Sequence, residues 1–374
     1  MSRIAAIEAR TVLCPLPQPL RLASRTVNAR AFTLVRVHDD DGAVGSGFTF
    51  AGYRNSDLAT RAVALLAPIA LGRPVDATAG LWEAMAHATL LEGRAGAAMR
   101  ALSAIDVALW DLRGRRAGLP LQRLLGAVEL ESVPGYLAGG YFTDGGEAAL
   151  LAEVDEQLAA GATTVKVKIG AGSAADDVAR VRAVRQRVGD AVALIADANG
   201  RWRSVAEALP VARALARLDL RYLEDPFPPQ LVHLHRELFA ASGLPLAAGE
   251  VLSHPGELRA LAAGGGVGVL VVDATACGGV TGFQRIAAYA ALEGVGLHTH
   301  WFSELHAPLA ATVAGDTLVE HFGDDRAMPF ARLVEGGPRW ERGRLLLSDA
   351  PGHGLAFDEP AVERFAIEPW ERLQ

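Results

Sequence analysis

Three acidic residues close three successive apolar runs: Asp197 after "VALIA", Glu224 after "LRYL" and Glu250 after "PLAAG". Singly, each reads as a loop acid or a helix N-cap, both common after a strand. At matched positions on consecutive strands they converge on one rim and repel one another strongly in a partly desolvated site. A hard divalent cation removes that repulsion. Oxygen ligands with no cysteine or histidine among them favour Mg²⁺ or Mn²⁺ over Zn²⁺, so Asp197, Glu224 and Glu250 are candidate metal ligands. The runs that follow carry Asp273, His300 and Glu320. A carboxylate at Asp273 can orient the imidazole of His300 on the next strand and hold it as a charged acid or a ready base. The competing reading is a core histidine bonded to a nearby carbonyl.

Residues 163–170, "TTVKVKIG", add two lysines. Val165, Val167 and Ile169 form the apolar half of a strand, so Lys166 and Lys168 share its other face. An edge strand with one solvated face explains such a pair plainly, because lysine there discourages aggregation. Within a closed ring of strands the two would point inward. Lys168, nearer the strand end, then faces a bound substrate from the side opposite His300, and Lys166 keeps a second positive charge one pleat deeper. Like charge and partial burial both lower a lysine pKa, which would make Lys168 a base near neutral pH.

The elements that must position these residues repeat from about 130 to 322. An apolar strand, a polar or glycine-rich end and an alanine-rich amphipathic helix recur, with strand candidates at 132–140, 163–170, 192–200, 220–227, 244–252, 267–279, 295–302 and 317–322. The spacing fits strand, loop and crossover helix, with helices expected at 174–188, 204–218 and 279–293. Eight such strands predict a parallel (β/α) barrel with its chemistry at the strand C-terminal ends. Residues 1–128 differ. Ile4–Leu13, Ala31–Asp39 and Ala43–Phe50 read as an antiparallel meander with "DDDG" (39–42) as a hairpin turn, and helical patterns follow at 57–71, 80–90 and 95–116. The last of these carries Met99, Leu102, Ile105, Leu109 and Leu112 at helical spacing. Residues 344–357 read as a returning strand and loop that closes on this first unit. The expected organisation is an α+β cap of residues 1–128, completed by 330–374, around a barrel of residues 129–329.

Of the 374 residues, 51% are hydrophobic, enough for one large domain and a smaller one. The 43 acidic and 36 basic residues are well mixed and leave a net charge of −7. No basic tract or aromatic-basic stripe appears, so nucleic acid is not an expected partner. Cys14 and Cys277 cannot build a disulfide framework and fit no zinc spacing. The first residues lack the apolar core of a signal peptide. No run reaches ~18 apolar residues without a charge, which leaves no expected membrane span. A cytoplasmic protein is the expectation.

The chain resembles the enolase superfamily, in particular its mandelate racemase subgroup, over nearly its whole length. The resemblance is carried by "ALSAIDVALWDLRGRRAGLPLQRLLG" (101–126), "VKVKIG", "DANG", "EDP", "AGE", "VVDATACGGVTG" (271–282) and "HTHWFSELHAPLA" (298–310). It implies an α/β fold with a modified TIM barrel, (β/α)7β, under an α+β capping domain. It also implies one Mg²⁺ per subunit on Asp197, Glu224 and Glu250, bases at Lys168 and His300 with Asp273 behind the histidine, and a homo-oligomer. Lys166 and Glu320 would contact the substrate carboxylate, Glu320 by donating a hydrogen bond, and Asn199 of "DANG" would join them. The implied reaction removes the proton α to the carboxylate of a small-molecule acid. The preferred form is dehydration of an acid sugar, aldonate or aldarate, to a 2-keto-3-deoxy acid. The alternative is racemisation or epimerisation of an α-hydroxy acid by the same two bases. Substrate choice is expected from the cap segments Leu20–Arg30 and Phe48–Asn55. There Arg25, Tyr53 and Arg54 either reach polyol hydroxyls or a distal carboxylate, or are ordinary surface residues. Two other classes compete: a zinc hydrolase using "HTH" with His306, and a non-catalytic barrel serving as a scaffold.

Overall fold

The computed structural model of the protein describes residues 2–23, 25–53 and 56–374. An antiparallel sheet opens the chain, with β1 (Ile4–Leu22), β2 (Arg25–Asp39) and β3 (Val44–Gly52) in that order. Asp39 fixes the expected β2–β3 turn, its side chain accepting from the backbone N–H groups of Asp41 and Ala43. The first two strands run well past the expected limits. Pro15, Pro17 and Pro19 argue against a continued strand because proline cannot donate to a ladder. The ladder adapts instead: pairing lapses between Pro15 and Leu20 and resumes at Leu20↔Val27, Arg21↔Thr26 and Leu22↔Arg25. The result is a long hairpin whose tip reaches the barrel, where Arg21 bridges to Phe142.

Helices α1 (Leu58–Ala70), α2 (Thr78–Ala88) and α3 (Ala97–Ala117) cover the sheet, and a short turn α4 (Leu121–Leu124) follows. The predicted apolar face of α3 is buried throughout, from Met99 to Leu112. It packs so closely on β3 that a Cβ on Gly47 would lie 2.0 Å from the Ala104 carbonyl oxygen.

Eight parallel strands then form a barrel: β4 (Ser132–Leu137), β5 (Thr164–Lys168), β6 (Ala193–Asp197), β7 (Leu220–Glu224), β8 (Leu246–Ala248), β9 (Val267–Val272), β10 (Gly296–Thr299) and β11 (Thr317–His321). Each pairs with the next, and β11 pairs with β4 to close the ring. Seven helices connect them: α5 (Gly146–Ala159), α6 (Ala174–Val188), α7 (Val205–Leu215), α8 (Val232–Ser242), α9 (Pro255–Ala263), α10 (Gly279–Glu293) and α11 (Ser303–Ala310). A 3₁₀ turn at Pro329–Arg332 follows β11, so the architecture is (β/α)7β. Side chains alternate along each strand. Val165 and Val167 join the apolar layer under the helices, while Tyr136, Ile195, Tyr222, Ala247, Val271 and Leu318 pack inside the ring. Strand β5 lies between β4 and β6 with Lys166 1% and Lys168 5% exposed. That excludes the edge-strand reading of the lysine pair.

The C-terminal segment divides its contacts. Strand β12 (Val334–Gly336) pairs with β15 (Leu355–Phe357), and β13 (Arg339–Glu341) forms a hairpin with β14 (Arg344–Leu346). The returning strand expected to close on the first unit docks on the barrel instead, with Arg344–Leu346 antiparallel to Ser132–Pro134. The first residues of β4, Ser132–Pro134, pair with neither β5 nor β11, and β14 supplies their partner. The loop after it does reach the cap, where His353 Nε2 bonds the Ser46 carbonyl and Asp111 accepts from the His353 N–H. Helix α12 (Glu359–Phe365) and β16 (Glu371–Leu373) follow, the latter pairing with β1.

Helix α3 fastens the cap to the barrel mouth. Asp106 accepts from the N–H and the hydroxyl of Thr281 in the first turn of α10, Ser103 accepts from the Gly278 N–H, and Trp82 Nε1 donates to the Gly278 carbonyl. Gly278 and Gly279 take φ of 103° and 71°, which side chains rarely tolerate. The motifs "ALSAID" and "CGGVTG" are therefore two halves of one joint. The close approach on the other side of α3 gives a test. Gly47→Ala should cost about 3 kcal/mol of stability through overpacking against backbone, whereas Gly268→Ala, with nothing near its Cβ, should be close to neutral. Urea unfolding of the two variants measures the difference.

Candidate active site

In-register pairing sets the site. Lys168 lies opposite Asp197, and Asp197 opposite Glu224, across β5, β6 and β7. One residue each from three neighbouring strands thus stands at the same height, at the C-terminal rim. Glu250 follows β8 by two residues and completes the group. Carboxylate oxygens of Asp197, Glu224 and Glu250 all lie within 4.8 Å of one another, and all three side chains are buried. Burial pushes Glu224 well above the usual carboxylate range, opposed by Lys166, with Asp197, Glu250 and Glu320 adding to the rise. Its Oε2 is buried without a hydrogen-bond partner. Three buried carboxylates within 4.8 Å of one another, one holding an orphaned oxygen, have the donor set of a hard divalent cation site.

Asn199, expected at the substrate, is committed elsewhere. Its Nδ2 donates to Asp197 and Glu250, both at 3.3 Å, and its N–H donates to Asp197 at 2.8 Å. It bridges two of the three carboxylates while still lining the pocket.

Both lysines are ion-paired. Lys168 Nζ bonds Asp197, and Lys166 Nζ bonds Glu320 and lies 3.2 Å from Glu224. Burial disfavours the Lys168 ammonium, but Asp197 more than offsets it, and the pKa lies above its ordinary value. The expected lowering by the second lysine is reversed because the neighbouring carboxylates outweigh one like charge. Glu320 is also corrected. Burial raises it, but Lys166, His300 and Lys168 bring it down to about 2. In this arrangement it is an acceptor, taking hydrogen bonds from Lys166 and from the Trp301 N–H at 2.9 Å.

His300 stands on the other side of the cluster. Its Nδ1 lies 3.1 Å from Asp273 Oδ2 and its Nε2 3.5 Å from Glu250 Oε2. Asp273 accepts from the N–H and hydroxyl of Thr275. Burial raises its pKa, and His300, His306 and Arg100 more than reverse that. An ionised Asp273 fixes Nδ1–H on His300 and leaves Nε2 facing the pocket. The ring stacks on Trp301 with centroids 4.4 Å apart. The other histidines of "HTHWFSELH" face elsewhere. His306 accepts at Nε2 from the Ala274 N–H and bonds the Trp301 carbonyl through Nδ1, while His298 bonds Tyr222. With both nitrogens of His306 engaged, the zinc hydrolase reading fails.

The cap completes the pocket. Arg25 and Tyr53, both expected, line it with the guanidinium 4.6 Å over the phenol ring. Arg54 lies outside the described residues. Arg30, Arg100, Tyr141 and Trp301 are among the lining residues that the sequence did not single out. Arg30 is within the segment flagged for substrate choice, but Arg100 lies inside a helical pattern and carries no local signal of its destination. A second cavity of about 280 Å³ beside β4 and α5 shares Tyr141 with the site and contains none of the candidate catalytic residues.

Comparison with known proteins agrees with this geometry. The profile described as "Mandelate racemase / muconate lactonizing enzyme, N-terminal domain" matches residues 6–126, and "Enolase C-terminal domain-like" matches residues 149–361. The chain belongs to the mandelate racemase/muconate lactonizing enzyme family of the enolase superfamily. It is 34% identical to a 3,6-anhydro-α-L-galactonate cycloisomerase of Streptomyces coelicolor, over 96% of this chain and 98% of that one. It is 29% identical to an L-talarate/galactarate dehydratase of Salmonella typhimurium, over 96% and 90%. The structure of L-talarate dehydratase from Polaromonas sp. JS666 complexed with Mg and L-glucarate superposes with a TM-score of 0.92 at 29% identity, covering 100% of this chain and 99% of that one. No helix among the described residues is long and apolar enough to cross a membrane.

If the three carboxylates hold a dication, the folded state alone binds it, and binding raises stability by about 2.7 kcal/mol at a hundredfold excess over Kd. Mg²⁺ should therefore raise the melting temperature by a few degrees, and Glu224→Gln should remove most of that rise. An unchanged rise in Glu224→Gln would show that the ion binds elsewhere.

Proposed function

We propose that this chain is an acid-sugar dehydratase that holds Mg²⁺ on Asp197, Glu224 and Glu250. It removes the proton α to a carboxylate and expels the β-hydroxyl, giving a 2-keto-3-deoxy acid. The observation that carries this reading is the placement of Lys168 and the His300–Asp273 pair. They flank the three-carboxylate cluster within one pocket, Lys168 beside Asp197 and His300 beside Glu250. A scaffold or binding module requires no such set. The dehydratase relatives and their Mg and L-glucarate complexes support the same reaction class.

The α-proton is very weakly acidic, and its removal puts negative charge on the carboxylate oxygens. Mg²⁺, when bound, supplies positive charge for those oxygens and competes with Lys168 for Asp197. Lys166 keeps its ammonium at that end of the site, held in place by Glu320 on one side and Glu224 on the other. With Asp197 drawn onto the dication, Lys168 would lose the partner that holds it protonated, and its neutral Nζ would take the α-proton from one face. His300, protonated at Nε2 and held by Asp273 at Nδ1, delivers its proton to the departing β-hydroxyl, so the C–H and C–O bonds break and water leaves. Ketonisation of the enol then gives the 2-keto product. Asn199 holds Asp197 and Glu250 in position. With substrates of the opposite C2 configuration His300 serves as the base, which makes epimerisation the second reading. The cycloisomerase relative belongs to the same isomerase class.

Exhaustive dialysis against EDTA should abolish formation of 2-keto product from a panel of mono- and diacid sugars, and Mg²⁺ should restore it. Full turnover in chelator would end the metal-dependent reading.

The two bases have separate signatures in D₂O. Lys168→Ala should abolish α-proton exchange with one C2 epimer and His300→Asn with the other, followed by NMR. His300→Asn should also slow dehydration by about 10²- to 10⁴-fold, the usual contribution of a positioned general acid. Lys166→Ala should impair both epimers, with partial rescue by Lys166→Arg. Exchange that survives intact in Lys168→Ala for every substrate would remove that lysine from the mechanism.

A further inference from the structure

Three arginines line the cap side of the pocket: Arg25 at the start of β2, Arg30 further along it and Arg100 on α3. No ion pair joins any of them to a carboxylate among the described residues. Arg30 is the most constrained. It is 1% exposed, its Nε donates to the Ala327 carbonyl, and its Cζ lies 4.2 Å from the centre of the Trp301 ring. Its Nη1 is buried with no hydrogen-bond partner. Arg100 reaches the Phe50 carbonyl from Nη1 at 3.2 Å. Arg10, buried to a similar degree, is by contrast paired with Glu363 at 2.7 Å. A buried guanidinium with an idle N–H is costly unless something completes it. The nearest acidic groups are already engaged, Glu320 by Lys166 and Asp273 by His300.

We propose that the substrate is a dicarboxylic acid sugar, an aldarate, whose second carboxylate seats against Arg25, Arg30 and Arg100. This rests on the reading of the barrel side as the place where the reacting carboxylate binds. The two ends of the pocket then have matched tasks. Lys166 and the carboxylate-bound cation address the first carboxylate at the barrel rim, and the guanidiniums address the second under the cap. Guanidinium presents paired N–H donors that fit a planar carboxylate. The primary hydroxyl that ends an aldonate is neutral and offers one oxygen, so it would leave most of those donors unmatched. Sites built to bond a polar group discriminate strongly against the analogue that lacks it.

Configuration-matched aldarate and aldonate pairs test this, with 2-keto product measured for turnover and calorimetry in Mg²⁺ measured for binding. At least one aldarate should exceed its matched aldonate by about 10²-fold or more in kcat/KM and in affinity, by the discrimination typical of such sites. Arg25→Gln and Arg30→Lys should each cut the aldarate value about tenfold more than the aldonate value, while circular dichroism reports an intact fold. Arg25 is exposed, so its variant remains informative if replacing Arg30 impairs folding. Aldonates used as well as aldarates, or equal losses for both in a folded Arg25→Gln, would overturn the assignment. Keto product from aldonates alone would overturn it and leave the dehydratase reading standing. Aldarate binding sensitive to Arg25 and Arg30 without keto product would do the reverse.

Discussion

Parallel pairing in register is the constraint on which the rest of this molecule depends. Because Lys168, Asp197 and Glu224 occupy one level of three adjacent strands, their charges are forced together inside the ring whatever the loops do. A slip of one residue on β5 would turn both lysines outward among the apolar helices and Val165 and Val167 inward. The apolar layer under α5, α6 and α7 therefore enforces the polar layer inside the ring, and packing energy holds in place charges that would otherwise separate.

Those charges are not there for stability. Buried ion pairs recover little beyond their desolvation cost, and apolar residues of similar volume often do as well. In this ring Lys166 serves Glu320, Glu224 and, at 3.7 Å, Asp197, and Lys168 adds only to Asp197, so two lysines face the four carboxylates Asp197, Glu224, Glu250 and Glu320. The shortfall on the carboxylate side is what a divalent ion corrects. On the cap side the imbalance has the opposite sign, with guanidiniums in excess. Once a dication occupies the rim, both ends of the pocket present positive charge, which would suit a ligand that carries negative charge at both of its ends.

Much of the barrel chemistry was legible in the sequence because each strand announces its end. "LIAD", "YLED" and "AAGE" pass from apolar to acidic within one residue, and strand order then places the acids side by side. The alternation in "VKVKIG" likewise showed that the two lysines share a face. What could not be read was charge balance. The direction of the Lys168 shift and the ionised state of Glu320 depend on which groups approach across the ring, and no spacing encodes that. The cap was less legible for a different reason. Arg30 and Arg100 are 70 positions apart on a strand and a helix, and only tertiary docking brings them into one pocket. The prolines of "CPLPQPL" concealed the hairpin that carries Arg25, because local propensity opposes a strand that β2 supports from outside.

Strain marks the seam between cap and barrel. Four of the six non-glycine residues with positive φ among the described residues, Asn199, Asp225, Trp301 and Phe302, lie at or beside the site. Such conformations persist only where the surroundings over-determine them. At Trp301 the determinants are visible: its N–H is held by Glu320, its ring is stacked on His300, and Arg30 lies over the ring. Phe302 is held by Phe32 and Phe48 of the cap and by Phe330. One strained dipeptide thus touches His300, the partner of Lys166 and a cap arginine. Arg30 lies over the same indole ring that stacks on His300. If the proposed second carboxylate seats against Arg30, substrate selection under the cap and alignment of His300 at the rim would be carried by the same side chain, Trp301.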